Sequence, residues 1–334
     1  MLEVGIALRT LVSDSNQPIF EQVEETAKLL RFVGSLGTFD TVRAQHHWLS
    51  YPSVWIEPIP LLSRLAPEAG QMRLMTSVMK PPIHNPIDLA HQIATIDHIC
   101  NGRFIFGVGV GYQREELEAV GATRKERAGR MEEALQLMKA LWTGEEVSFS
   151  GKYWSIKSVR MGYTPLQKPH PPIWSASYSV AATERAARIC DGVLIAPQAS
   201  WSAVEMHADN YRAALAKYGK QNGRVGLNRT VSIATTYEEA DKAARAKVAE
   251  AALDYGRWGM QESSTVDMVL DPERDPRDWA IVGTPDDCIE TISRYKESVG
   301  FDFLGPSFAN LPKDQTARKE YLQYVSEEVF RKVR

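Results

Sequence analysis

The sequence has few cysteines, no block of like charge and no long apolar run. Only three of its 334 residues are cysteine, and Cys100, Cys190 and Cys288 show no CxxC spacing, so neither a disulfide framework nor a zinc site is indicated. The 39 basic and 42 acidic residues give a net charge of −3, and no Lys/Arg stripe marks a nucleic-acid partner. No segment approaches the roughly 20 apolar residues of a membrane span. We therefore expect a soluble protein of the reducing cytoplasm, without a metal site.

What the chain does contain is a regular alternation of strand and helix patterns. A composition of 44% hydrophobic and 24% charged residues is typical of a globular protein and argues against disorder. The first nine residues hold an acidic residue in a short apolar run with no basic region before it, which predicts a first strand and not a signal peptide. Eight strands are predicted, at residues 3–10, 41–45, 72–79, 104–109, 173–176, 192–197, 226–235 and 301–306. Their alternation with helices predicts an α/β fold with a parallel sheet.

Three helices have clear signals. In residues 124–142 and 88–100 the apolar side chains recur at spacings of three and four, and Gly102 follows the second segment as a stop signal. The run Thr284-Pro-Asp-Asp287 opens a third helix, because Thr is a good N-cap, proline suits the first helical position and an acid follows three residues after the cap.

Eight strands with helices between them fit either a (β/α)8 barrel or an open doubly wound sheet, and periodicity alone does not separate the two. The run Gly107-Val-Gly-Val-Gly111 begins like a GxGxxG dinucleotide fingerprint. Tyr112, Gln113 and Arg114 follow it, so no third glycine closes the pattern. The register therefore disfavours a dinucleotide site.

Two stretches look like insertions into a single domain that spans residues 1–334. Residues 145–172 contain two strand-like segments around a Ser150-Gly151 turn, which predicts a hairpin followed by a proline-rich connection. Residues 258–279 show neither helical nor strand periodicity. Long irregular loops in compact domains are often functional, so we expect this one to close over the barrel mouth as a lid.

Several segments resemble the bacterial luciferase-like family in the same order and spacing. Residues 101–116 look like the family's fourth strand and following loop, and further matching runs lie at 45–48, 85–97, 126–144, 171–174 and 282–285. The resemblance covers residues 1 to 310 or so. It implies a (β/α)8 TIM barrel with chemistry at the carboxyl ends of the strands, a reduced flavin or a deazaflavin, and a homodimer.

The resemblance also points to particular residues around the cofactor. It places the flavin phosphate at Tyr178 and Ser179, although Ser179 could be a plain helix N-cap that needs no ligand. It places Ser77 and Val78, where the family often has a cis peptide bond, against the flavin ring. Beyond the fourth strand, the resemblance also assigns Gly109, Val110 and Tyr112 to cofactor binding. Many FMN-using members carry Arg where Val110 stands. This chain therefore lacks one hydrogen-bond donor to the phosphate at that position.

Histidines and aromatic residues are the remaining candidates. His46 matches the family's active-site base or hydrogen-bond donor near the flavin ring, although a pair of histidines is often structural. Gln45 stands where the family often has Glu, which removes a charge that could raise the pKa of a histidine. His47, Trp48 and Trp174 are predicted to contact substrate, although large aromatic residues more often form core.

The resulting hypothesis is a flavin-dependent monooxygenase. It takes reduced FMN from a separate flavin reductase and uses molecular oxygen to oxidise a small organic substrate, while the cofactor carries the redox chemistry. The first alternative is an oxidoreductase that transfers hydride with a deazaflavin coenzyme and without oxygen. The second is a non-catalytic flavin-binding subunit, against which the retained His46 argues.

Overall fold

The computed structural model describes residues 1–7, 17–49, 54–259 and 274–334. The last part of the first predicted strand and most of the predicted lid, residues 260–273, lie outside the described residues. Strands and helices alternate throughout the described part, as the sequence predicts.

The described strands follow one another as β1 (Glu3–Ala7), β2 (Thr41–Ala44), β3 (Arg73–Thr76), β4 (Phe104–Val108), β5 (Val147–Ser150), β6 (Ser155–Val159), β7 (Ile173–Ser177), β8 (Gly192–Ile195), β9 (Arg224–Ile233), β10 (Ala280–Gly283) and β11 (Phe303–Phe308). Eight of them pair in the order β1-β2-β3-β4-β7-β8-β9-β11, and β11 returns to β1. All these pairs are parallel, so the sheet closes into a barrel. The predicted (β/α)8 TIM barrel is confirmed, and the open doubly wound sheet is wrong.

A ninth parallel strand lies outside the ring of eight and was not predicted. Strand β10 pairs with the second half of β9, with Ala280 opposite Thr230, while the first half of β9 pairs with β8. All four β10 residues are buried. A four-residue apolar run beside an irregular loop is too short for periodicity to identify as a strand.

The helices of the described residues are α1 (Ile19–Ser35), α2 (Pro58–Leu65), α3 (Pro86–Ile99), α4 (Arg114–Glu118), α5 (Arg127–Leu141), α6 (Val180–Ile189), α7 (Trp201–Lys217), α8 (Tyr237–Arg257), α9 (Pro285–Val299), α10 (Gln315–Val325) and α11 (Arg331–Val333). The three helices with clear sequence signals correspond to α3, α5 and α9. Thr284 caps α9 through a reciprocal pair of hydrogen bonds with Asp287, as its motif predicts. None of the described helices combines the length and the apolar character needed to cross a membrane.

Two apolar layers hold the barrel together. The larger layer lies between the strands and the surrounding helices and includes residues such as Leu30, Leu62 and Leu141, which are fully buried. The smaller one fills the inside of the barrel with Met75, Ile105, Trp174, Leu194 and Phe303. Between β4 and β7 the predicted hairpin is confirmed as the antiparallel pair β5 and β6. The carboxyl ends of the eight strands are left to form the cavity described next.

Candidate active site

A cavity of about 350 Å³ opens at the carboxyl ends of the barrel strands. It is lined by most of the residues that the sequence singled out for chemistry or binding, which are His46, His47, Ser77, Val78, Gly109, Val110, Tyr112, Tyr178 and Ser179. Trp48 and Trp174 are not part of the lining. Trp48 is 42% exposed, whereas Trp174 is 1% exposed and packs edge-on against Phe303 inside the barrel. We therefore leave both tryptophans out of the proposed site.

One wall of the cavity follows directly from how β3 and β4 pack together. Ser77 and Val78 come after β3 and are joined by a cis peptide bond. A Cβ at position 109 would lie 2.7 Å from Cγ2 of Val78, and one at position 107 would lie 1.8 Å from the carbonyl oxygen of Thr76. The two glycines that resemble a dinucleotide motif are thus required by close strand packing.

The side of the cavity at β7 and α6 has the features of an anion site. Ser179 is the N-cap of α6, and its Oγ accepts a hydrogen bond from the Ala182 N–H at 3.2 Å. Both Ser179 and the preceding Tyr178 line the cavity. Because the N–H groups of a helix's first turn lack partners within the helix and carry the positive end of its dipole, an anion bound here would be stabilised.

Two arginines that the sequence did not single out line the same cavity. Arg127, at the start of α5, donates from Nη1 to the carbonyl oxygen of Gly111 at 3.1 Å. Burial, together with the nearby charges of Arg124 and Arg185, lowers the pKa of Arg127. Arg185, on α6, forms an ion pair with Glu132, with 2.9 Å between Nε and Oε1. The cavity therefore contains guanidinium groups even though position 110 is a valine and not an arginine.

His46 is buried and linked to a carboxylate. Its Nε2 lies 3.3 Å from Oε2 of Glu57, and its ring lies 5.3 Å from that of His84, centroid to centroid. Among the described residues its Nδ1 has no hydrogen-bond partner. Burial raises the pKa of Glu57, but the hydrogen bond from His46 and the nearby positive charges outweigh it, so the net pKa is lowered. Glu57 thus supplies a carboxylate that Gln45 cannot.

His47 forms part of an aromatic wall. Its ring lies 4.4 Å from that of Trp55 and stacks on that of Trp258 at 5.0 Å, centroid to centroid. Burial holds its pKa well below the usual value, and the charges of Lys80 and His46 lower it further. His47 is therefore neutral near pH 7 and suits contact with an apolar or aromatic group.

Two buried cations also reach the cavity, and they differ in their partners. Lys80 forms an ion pair with Glu116, and both residues are almost completely buried. Arg43, on β2, donates to Oδ1 of Asn228 at 2.6 Å, to Oγ of Ser77 at 3.4 Å and to the carbonyl oxygen of Pro306 at 3.0 Å. Burial lowers the pKa of Arg43 to about 10. The only sequence signal for Arg43 is a basic residue inside an apolar strand.

Comparisons with known proteins agree with this architecture. A sequence model described as luciferase-like monooxygenase matches residues 2–302. An FMNH2-dependent dimethylsulfone monooxygenase from Pseudomonas putida is 26% identical over 278 residues, which cover 77% of this chain and 75% of that protein. An F420-dependent glucose-6-phosphate dehydrogenase from Nakamurella multipartita is 28% identical over 258 residues, which cover 74% of each chain.

Solved structures give the same fold. A monooxygenase from Streptomyces bottropensis superposes with a TM-score of 0.82 at 24% identity, and the match covers 100% of both chains. The oxygenating constituent of 3,6-diketocamphane monooxygenase from Pseudomonas putida, solved with FMN, gives a TM-score of 0.81 at 19% identity, covering 100% of this chain and 99% of that one. At these identities the likeness bears on the fold alone.

Proposed function

Because the chain belongs to the luciferase-like monooxygenase family, we propose that it is a monooxygenase that takes reduced FMN from a separate flavin reductase and oxidises a small organic substrate with molecular oxygen. The coarser assignment, an oxidoreductase that uses a flavin or a deazaflavin, follows from the family and from relatives of both kinds. The choice of FMN rests on the anion site.

The observation that carries the choice of FMN is the pair of guanidinium groups that line the cavity together with the N-terminus of α6. Arg127 and Arg185 line the same cavity as Tyr178 and Ser179. A phosphate monoester such as that of FMN carries about −1.5 to −2 charges near pH 7, whereas the phosphodiester of a deazaflavin coenzyme carries a single one. Two cations and a helix N-terminus match the more highly charged group.

The remaining lining fits the flavin ring and its surroundings. Ser77, Val78 and Gly109 form a wall of small side chains against which a flat ring can lie, with Val110 and Tyr112 at its edge. When bound, reduced FMN supplies the electrons for the reaction with oxygen. The protein's part is to hold the ring, to exclude water with aromatic side chains such as Trp55 and Trp258, and to handle protons.

His46 is the residue we assign to proton transfer. Its Nε2 is held by Glu57, so Nδ1, which has no partner among the described residues, is the atom left to exchange a proton in the cavity. Glu57 is 44% exposed and lines an outer hollow together with His84 and His91. Glu57 can therefore pass a proton between solvent and the buried imidazole.

The second candidate, a deazaflavin-dependent oxidoreductase, is favoured by relatives such as the glucose-6-phosphate dehydrogenase. The test is a set of anaerobic titrations with reduced FMN, oxidised FMN and a deazaflavin coenzyme, followed by oxygen uptake with a flavin reductase present. We expect reduced FMN to bind more tightly than oxidised FMN, and oxygen uptake to require the reductase.

In the same assay His46→Ala should lower turnover more than it lowers FMN affinity, because a proton-transfer group acts mainly in the transition state. A structural histidine would instead affect both together. Tight deazaflavin binding without oxygen uptake would refute the monooxygenase proposal.

A further inference from the structure

We propose that the substrate is a small organic acid whose anionic group binds to Arg43 and Asn228 at the floor of the cavity. This inference deepens the proposed function and rests on it for the nature of the reaction. The floor lies on different strands from the anion site at α6, since Arg43 belongs to β2 and Asn228 to β9.

The side chain of Arg43 is buried and held in place by the barrel, unlike a mobile surface side chain. It is 4% exposed, and it reaches beyond the neighbouring β1 to contact Asn228 on β9 and Pro306 on β11. A Cβ at position 305 would lie 2.8 Å from Cζ of Arg43, so a glycine leaves the space that the guanidinium occupies. The guanidinium is thereby held in one position where it lines the cavity.

Within the described residues, the partners of Arg43 are all neutral. A guanidinium has five N–H groups, and the amide of Asn228, the hydroxyl of Ser77 and the carbonyl of Pro306 account for three of them. Nε is buried without an acceptor in the described part of the chain. A buried charge that lacks a counterion is costly, and an anionic ligand removes that cost.

Each of the other cations on the cavity has an acidic partner or stands at the anion site. Lys80 pairs with Glu116, Arg185 pairs with Glu132, and Lys247 lies 3.6 Å from Glu250. Arg127 has no ion pair within the described residues, and it stands with the helix N-terminus that we assign to the FMN phosphate. Arg43 is therefore the cation left for a second anion.

Asn228 adds a donor beside this cation. Its Oδ1 accepts from Arg43, so its Nδ2 is the end of the amide that remains to donate a hydrogen bond. Asn228 lines the cavity together with Arg43. A guanidinium and an amide N–H side by side match the two oxygens of a carboxylate, and the apolar body of such an acid would lie against the wall formed by His47, Trp55 and Trp258.

The experiment compares acids with their uncharged amides of the same shape. Benzoate with benzamide, 3-phenylpropionate with 3-phenylpropanamide, and octanoate with octanamide are titrated calorimetrically under anaerobic conditions, with and without reduced FMN. In at least one pair the acid should bind about ten- to hundredfold more tightly than the amide, as expected for a charge-assisted hydrogen bond. Equal binding of acid and amide in every pair would overturn the proposal without any variant.

Variants then assign the preference to Arg43. Arg43→Met should abolish the preference for the acid, Arg43→Lys should retain part of it, and Arg188→Met, which removes a cation outside the cavity lining, should leave it in place. A purely structural Arg43 would lower thermal stability without changing the preference. If Arg43→Met does not fold, Asn228→Leu should reduce the preference in its place.

The outcome is separable from that of the proposed function. Loss of FMN affinity in Arg43→Met, with the acid preference intact, would place Arg43 on the flavin and overturn the inference. An acid preference without reductase-dependent oxygen uptake would leave the substrate class standing and refute the monooxygenase.

Discussion

The inside of the barrel and the cavity above it are formed by the same eight strands, but they differ in whether buried polar atoms have hydrogen-bond partners. Inside the barrel, Met75, Ile105, Trp174, Leu194 and Phe303 are each at most 1% exposed and present mainly carbon atoms to one another. Such packing contributes stability through burial of apolar surface and through dispersion contacts.

In the cavity Arg43, His46 and Gln198 are also buried, at 4%, 5% and 7% exposure, yet each has an unsatisfied polar atom. Nε of Arg43, Nδ1 of His46 and Oε1 of Gln198 have no hydrogen-bond partner among the described residues. Leaving such atoms buried costs stability, and native proteins do so mainly where a ligand or a reaction requires it. The lower region therefore stabilises the fold, and the upper region is organised for a ligand.

The largest expected effect lies inside the barrel. Trp174→Ala should reduce the free energy of unfolding by about 3–5 kcal/mol, because it removes a fully buried aromatic side chain and leaves a cavity. The measurement is urea unfolding, together with FMN titration of the folded variant, which should show unchanged affinity.

Trp55→Ala is the matched control for Trp174→Ala, since Trp55 lies on the cavity wall and its ring contacts that of His47 at a tilted angle. It should weaken binding of an aromatic ligand such as 3-phenylpropionate with a smaller loss of stability. If Trp174→Ala kept its stability and lost ligand binding instead, Trp174 would be a substrate contact after all.

The second effect concerns the anion site of the cavity. Arg127→Met should weaken binding of reduced FMN by about 1.5–3 kcal/mol, or roughly ten- to hundredfold, because it removes a charge-assisted hydrogen bond to the phosphate. Riboflavin lacks the phosphate, so its affinity should not change.

Arg188→Met serves as the control for Arg127→Met. Arg188 is also a cation near α5 and α6, where it pairs with Glu132, but it is not part of the cavity lining. Equal losses of FMN affinity in the two variants would mean that general charge, and not a direct contact of Arg127, governs binding.

The sequence predicted the cavity-lining residues that directly follow a strand. His46, Ser77, Val78, Gly109 and Tyr178 come just after their strands, and a barrel gathers the carboxyl ends of its strands at one face. Once the strands are placed, chain position alone brings these residues together.

The residues that the sequence missed depend on contacts between distant segments. Glu57 reaches His46 only because α2 begins beside the end of β2, and Arg127 lines the cavity only because α5 packs beside the loop at Gly111. Trp174 was predicted to contact substrate because of its residue type, but its side chain points into the barrel, where it packs against Phe303. The residue type alone, without the direction of its side chain, does not show whether a residue lines the cavity or packs in the core.

The smallest expected effect is a pH dependence of stability that comes from buried histidines, His47 in the cavity wall and His84 in the outer hollow beside it. Burial, with the charge of His46, lowers the pKa of His84 from 6.5 to about 4, and burial holds that of His47 well below its usual value. Between about pH 4 and 6.5 the unfolded chain therefore binds protons that the folded protein does not. This contribution of the histidines to stability is fully present above the unfolded pKa. It is lost as the pH falls towards the folded pKa, by at most about 1.4 kcal/mol per pH unit for each such histidine.

Urea unfolding measured across this range should show that the free energy of unfolding changes less steeply with pH for His84→Gln than for the wild type, because one titrating histidine is removed. Above about pH 7 the two curves should run parallel, because histidine is neutral in both states. Parallel curves in the acidic range as well would mean that His84 is protonated in the folded protein, so that its burial beside the cavity does not suppress its charge.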